Sequence, residues 1–337
     1  MRTAIQSLSH NAALALLALL LAIAADARAV TINWVPVGNP GNAPDQLFPD
    51  RSNPDNLQFG AVAYNYNIDK YDVTVSQYAE LLNAKDPTGA NVLSMYNSNM
   101  APGLQRGGIT YSPGAANGQK YSVPVGGGNR PVNYVTWYDA IRFANWLNNG
   151  QGNGATETGA YTIGAVDASG IPINDVITRN SGATVFLPSE NEWYKAAYYN
   201  PTTQSYYKYG TSSNTAPTAG PPTGAINSAN YQFITQDITN VGAYSGTTSP
   251  YGAYDMSGNV YQWNESLIGS ERGKRGGGYF GSDSDLSSSV RTFGEDPNTG
   301  QSFIGFRVAS LVPEPSSVLL AAFGFAGLAA WGLRRRK

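Results

Sequence analysis

Leu187-Pro188-Ser189-Glu190-Asn191-Glu192-Trp193 carries the signature of a helix start. Ser189 and Glu192 stand three apart as a capping box, in which the hydroxyl accepts from the N3 amide and the carboxylate reaches back to the cap amide. The helix so predicted runs from Trp193 to Tyr198 and stops by Asn200-Pro201, because proline cannot continue it. The same device recurs twice upstream. Thr74 with Gln77 opens a helix through Tyr78, Leu81 and Leu82, and Thr136 with Asp139 opens one through Ile141, Ala144, Trp146 and Leu147. Asn148-Asn149-Gly150 then supplies a left-handed C-terminal cap. Strand-like pieces surround these helices at Ala61 to Ile68, Thr184 to Leu187, Arg275 to Phe280 and Phe306 to Ser310. Three short helices among short strands and long turns predict an α+β architecture, a single compact domain of low regular secondary structure.

Composition narrows the chemistry. The 337 residues include no Cys, and the only His is His10, in a segment with the character of a leader. The exported part therefore has no thiolate, no imidazole base and no soft-metal ligand. Carboxylates, amides, hydroxyls and aromatics remain, which suit oxygen-ligated calcium and the binding of sugars or peptides. Charged residues make up 13% and the net charge is −2, so there is no electrostatic footprint for nucleic acid. Gly 38, Pro 20 and Tyr 22 describe a loop-rich extracellular chain without disulfides.

The termini say where it works. Arg2, the apolar stretch Ala12 to Ala25 and Ala27-Arg28-Ala29 predict a secretory signal at 1–29, cleaved before Val30. Residues 30–311 form the domain, and 312–337 form a tail. In that tail Val312-Pro313-Glu314-Pro315 precedes a largely apolar segment, Ser316 to Leu333, long enough to serve as a short transmembrane helix, and Arg334-Arg335-Arg336-Lys337 follows on the cytoplasmic side. Triplet, span and basic end together resemble a PEP-CTERM sorting signal. That resemblance implies an exosortase-type membrane peptidase as a partner, transient membrane anchoring, and export into extracellular polysaccharide or matrix.

Six ordered blocks carry a second resemblance: Tyr71-Asp72-Val73-Thr74-Val75-Ser76-Gln77-Tyr78, Pro131-Val132-Asn133-Tyr134-Val135-Thr136-Trp137, the Leu187 to Trp193 block, Gly258-Asn259-Val260-Tyr261-Gln262-Trp263, Arg275-Gly276-Gly277-Gly278 and Ile304-Gly305-Phe306-Arg307-Val308. Together they resemble the sulfatase-modifying-factor domain of formylglycine-generating enzymes, and they span most of Val35 to Ala309. The resemblance implies that family's fold, distantly similar to C-type lectin domains. It also implies a copper ion held by two cysteines just after the Arg-Gly-Gly segment. Those positions fall on Gly281 and Leu286, neither of which binds copper or performs thiol chemistry.

The family's calcium sites transfer further. One falls on Asn230, the backbone of Tyr231, Asp237 and a carbonyl near Thr239. The other falls on Asp255, the carbonyls of Gly258 and Val260, and Gln262, where the family usually carries Glu. Asp255 suits a local turn equally well. Asp283-Ser284-Asp285 begins like a calcium loop but lacks the required Gly and Glu, and Gly269 to Lys274 has the wrong spacing for a phosphate loop. Glu190 and Glu192 form a carboxylate pair of the kind that hydrolyses glycosides, although capping already accounts for Glu192. Trp137, Trp146, Trp193 and Trp263 belong in the core. Tyr198, Tyr199, Tyr206, Tyr207 and Tyr209 crowd a turn-rich stretch, where some rings are expected to meet solvent and stack on a ligand, with packing as the default. These readings favour an exported, non-catalytic binding or structural protein. The alternative is a formylglycine-generating-type oxidase or another enzyme, such as a carboxylate-dependent hydrolase, acting on an exported substrate.

Overall fold

A computed structural model describes residues 29–46, 58–103, 106–167, 170–173, 176–291 and 294–312. The leader, its cleavage site apart from Ala29 and Val30, and the apolar tail segment lie outside the described residues. Among the described residues no helix is long and apolar enough to cross a membrane.

In chain order, strands β1 (Trp34–Val37) and β2 (Tyr66–Asp69) precede helix α1 (Val75–Lys85). Strands β3 (Thr110–Tyr111) and β4 (Tyr121–Ser122) lead to α2 (Trp137–Asn148), and β5 (Val185–Phe186) leads to α3 (Glu190–Tyr198). Next come the pairs β6 (Tyr199–Asn200) with β7 (Ser205–Tyr206) and β8 (Thr218–Ala219) with β9 (Ser228–Ala229). Strands β10 (Tyr261–Ile268), β11 (Glu271–Arg275), β12 (Ile304–Phe306) and β13 (Ala309–Leu311) complete the domain. Two sheets organise it, one ordered β1-β2-β13-β5 and the other β11-β10-β12.

All three capping boxes form as the residue spacing dictates: Thr74 with Gln77, Thr136 with Asp139, and Ser189 with Glu192. Gly150, at φ 82°, provides the left-handed turn after α2. Trp137, Trp193 and Trp263 are fully buried, and each indole N–H finds an oxygen: Asn264 O at 2.9 Å, Gln262 Oε1 at 2.7 Å and Val135 O at 3.1 Å. Phe143 lies between Tyr78 and Phe306, which ties α2 to α1 and to the second sheet.

Strand boundaries differ from the sequence reading. The piece from Arg275 to Phe280 is not one strand: β11 ends at Arg275, where Gly276 and Gly277 take φ of 99° and 74° and turn the chain. The piece from Phe306 to Ser310 is two strands in two sheets. Phe306 pairs with Trp263, whereas Ala309 pairs with Ile68 and Phe186. Between them Arg307, fully buried, crosses from one sheet to the other.

Candidate functional site

The segment after the Arg-Gly-Gly turn forms the candidate site. Gly281 donates its N–H to Gly278 O at 3.0 Å, and a short 3₁₀ turn over Asp283–Leu286 follows. Leu286 is fully buried and packs with Tyr209, Ala229 and Tyr231. Its methyl group lies so close beneath Gly277 that a Cβ there would approach it to 2.6 Å. An apolar plug thus fills one of the two positions where the family resemblance places copper ligands. Gly281 offers no side chain at the other, and the donor set does not fit a copper ion.

Beside this plug runs a chain of aromatic rings. Phe233 meets Tyr279 at 5.9 Å between centroids, Tyr279 meets Phe280 at 5.4 Å, Phe280 meets Phe303 at 4.8 Å, and Phe303 meets Tyr261 at 6.1 Å. The last three contacts are edge-to-face, the favourable geometry for ring pairs. Phe233 and Phe280 remain 46% and 45% exposed, and Ile234 beside them is exposed as well. The Arg106 guanidinium lies 5.0 Å from the Tyr279 centroid and 5.7 Å from that of Phe233. Burial and the adjacent Asp285 carboxylate raise the Tyr261 phenol above its ordinary range, so it stays protonated and donates to Asp285.

The loop that presents Phe233 is held in an uncommon conformation. Gln232, Phe233 and Gln236 all have left-handed backbones, at φ 56°, 58° and 58°. Such values are costly for residues with large side chains and persist only where the surroundings impose them. Here Gln232 N donates to Gly281 O at 2.8 Å and Phe233 N to Tyr279 O at 2.7 Å, which fastens the loop to the aromatic segment.

The residues expected to hold calcium are brought together in two groups. In the first, Asn230 Nδ2 donates to Asp237 O at 2.8 Å, and the Thr239 amide donates to Asn259 Oδ1 at 2.9 Å. The Tyr231 hydroxyl turns away to Pro217 O. The Asp237 carboxylate faces two guanidinium groups, bonding to Arg130 and lying 3.6 Å from Arg106 Nε. In the second group Asp255, left-handed at φ 55°, accepts from Gly242 N at 2.6 Å, and Gly258 N donates to Gly276 O at 2.7 Å. Gln262 directs its amide nitrogen at Asp255 O, 2.8 Å away. Its oxygen accepts from Trp193 Nε1 at 2.7 Å and Arg307 Nε at 2.6 Å, while Val260 is fully buried. Burial raises Asp255 to about 6, against the Gly242 hydrogen bond and Arg307.

Other candidates resolve into framework. Glu190 bonds to Arg275 Nε at 2.8 Å and is ion-paired with Arg291 at 2.6 Å. Burial pushes its pKa up, but Arg275 and Arg291 outweigh burial and hold it below the usual carboxylate range. Glu192 caps α3 and pairs with Arg179 at 2.6 Å. Of the five crowded tyrosines, Tyr198, Tyr199, Tyr206 and Tyr209 are buried, so the solvent-facing rings expected there are found at Phe233 and Phe280 instead. No spacing rule marks that pair, because residues far apart in sequence assemble it.

Residues 49–312 match the model of the sulfatase-modifying factor enzyme 1-like domain, and the chain belongs to that family. Residues 311–337 match the PEP-CTERM protein-sorting motif, so the domain is followed by a sorting signal of the kind recognised in exosortase-type processing. Among solved structures the chain is similar to Treponema denticola variable protein 1, with 21% identity, a TM-score of 0.53, and coverage of 85% of this chain and 97% of that one. It is equally similar to CarF, at 20% identity and TM-score 0.53, covering 84% and 100%. These likenesses establish the formylglycine-generating-enzyme-like, C-type-lectin-like α+β fold. A curated relative, the serine/threonine-protein kinase pkn1 of Chlamydia caviae, is 27% identical over 150 residues, which cover 44% of this chain and 16% of the kinase.

Proposed function

We propose that this protein is an exported, non-catalytic binding or structural component of the bacterial envelope or extracellular matrix, and that it holds polysaccharide or another matrix component on the face formed by Phe233 and Phe280, with Tyr279 buried behind them. In this reading the leader at 1–29 is removed, the domain at 30–311 is exported, and the tail at 312–337 anchors it briefly in the membrane before an exosortase-type peptidase acts. One observation carries the proposal: where the family resemblance places copper ligands, the chain has a glycine and a buried leucine, and exposed rings stand beside them, Phe280 next to that glycine and Phe233 on a strained, tightly fastened loop. Aromatic faces stack on the apolar faces of sugar rings, and Arg106 adds a donor for sugar oxygens.

The inherited calcium positions are, in the same reading, closed by protein groups. Arg130 and Arg106 supply positive charge at Asp237, and the Gln262 amide nitrogen stands where a cation needs an oxygen donor. A glycan array probed with the full chain in detergent, beside a Phe233→Ala/Phe280→Ala variant, tests the proposal. Binding to a restricted set of polysaccharides by the wild type, lost in the variant, is the expected result. Equal binding by both proteins overturns the assignment of the face.

A further inference from the structure

The two ends of the first sheet differ in charge. β13 runs antiparallel to β2 and β5, with Leu311 opposite Tyr66, and Val37 at the end of β1 also pairs with Tyr66. Leu311 N donates to Thr184 O at 3.1 Å. This register gathers at one end of the sheet the loop leaving β1 (38–44), the loop entering β2 (60–65), the loop entering β5 (180–184), and Leu311 and Val312 where the chain departs. Gly41 N donates to Val62 O at 2.8 Å and ties the first two loops together. None of these residues is Asp, Glu, Lys or Arg. Tyr64, Leu311 and Val312 are 40%, 39% and 38% exposed, and Ala63, Asn65, Ser181 and Thr184 among them are exposed as well. The Tyr64 hydroxyl donates to Glu192, a carboxylate already paired with Arg179. The other end is different: β2 ends on Asp69 and leads into Lys70 and Asp72, and Arg307 comes just before β13.

We infer that this uncharged end of the sheet is a membrane-apposed surface, which rests on the lipid headgroups while the tail is in place. The inference depends on the reading that the tail anchors the domain, and it adds which side of the domain meets the bilayer. The covalent tether fixes that side: only Pro313-Glu314-Pro315 separates Val312 from the apolar segment that starts at Ser316, so the two lie at most about 14 Å apart. The composition agrees with it. An exposed tyrosine beside aliphatic side chains suits the boundary between headgroups and acyl chains, and polar loops without charge meet it with little desolvation cost. The charged end of the same sheet is turned away by the length of the strands, about 14 Å for four residues.

Because the chain has no Cys, one introduced thiol can be labelled without background. The full chain carrying Ala63→Cys, Ser181→Cys or Asn33→Cys, each at an exposed position, is labelled with a fluorophore and reconstituted into phosphatidylcholine/phosphatidylglycerol vesicles that contain lipid with a nitroxide on the headgroup. Asn33 precedes β1 at the far end, where Trp34 pairs with Asp69. Flotation of the vesicles reports anchoring, and quenching by the nitroxide reports which surface meets the headgroups. The chain is expected to float, with strong quenching at residues 63 and 181 and most of that quenching lost at residue 33. A chain that floats with residue 33 quenched as strongly as the other two, or with none of the three quenched, overturns the inference and leaves the anchoring reading standing. A chain that does not float overturns both.

Discussion

Replacing Glu190 by glutamine removes the charge at the centre of a buried cluster while keeping its shape. The carboxylate is shared by Arg275, itself almost fully buried, and Arg291, and Arg275 also lies over the rings of Phe59 and Tyr194 at 4.7 and 5.0 Å. Breaking a buried pair by deleting one partner costs roughly 3–5 kcal/mol, because the remaining ion loses its compensation. The substituted amide would still accept one hydrogen bond through its oxygen, which places the expected loss near the lower end, at about 3 kcal/mol. The pH dependence follows from the sign of the shift. Glu190 is held below its unfolded value by the two arginines, so its contribution is complete above about pH 4.5 and is lost as pH falls through the folded value. Urea unfolding followed by tryptophan fluorescence at pH 7 and pH 3 should show a deficit in Glu190→Gln that is large at pH 7 and shrinks at pH 3. A loss under about 1 kcal/mol at pH 7, or one independent of pH, refutes the assignment of Glu190 as an anchor. It would then be open to the acid–base role that a hydrolase requires.

Leu286→Ala should destabilise the domain by about 2–5 kcal/mol, the cost of a cavity where the side chain packs with Tyr209, Ala229 and Tyr231, measured as a shift in the urea midpoint at constant slope. Phe280→Ala, by contrast, deletes a half-exposed ring and should leave the midpoint within about 1 kcal/mol while reducing retention on a polysaccharide column. Asp139 is raised to about 6 by burial, against Arg142 and its hydrogen bonds to Thr136, so the folded state holds its proton longer than the unfolded chain. Stability should therefore fall as pH rises from about 4 to about 6, and Asp139→Asn should flatten that part of the curve, as read by thermal melting across pH.

Local devices were the legible part of this fold. Ser189 and Glu192, Thr74 and Gln77, and Thr136 and Asp139 each act within one turn, so spacing alone places them. The long hairpin of β10 and β11 was hidden by its turn, where Gly269 at φ 65° lies in a stretch that superficially suggested a phosphate loop. The switch between sheets at Arg307 was equally hidden, since apolar residues on both sides make one continuous run. Tyr206 shows why solvent exposure could not be read from crowding. Its hydroxyl donates to Ala43 O at 2.8 Å, and its ring meets Tyr194 and Tyr199, contacts that no local pattern announces. The absence of Cys was visible at once, whereas the rings beside Gly281 come from four separate stretches of chain.

The proposed loss of the family's oxidative chemistry is tested most directly by supplying that chemistry. The full chain in detergent, loaded with copper and given a cysteine-containing sulfatase peptide in air, is followed by oxygen uptake and by peptide mass. With Gly281 and Leu286 in the ligand positions, oxygen consumption and disulfide formation should equal those of copper and peptide alone, and no peptide with the mass of the aldehyde should form. Conversion of the cysteine to an aldehyde by the wild type, abolished when Phe280 and Tyr261 are both replaced by Ala, would contradict the account.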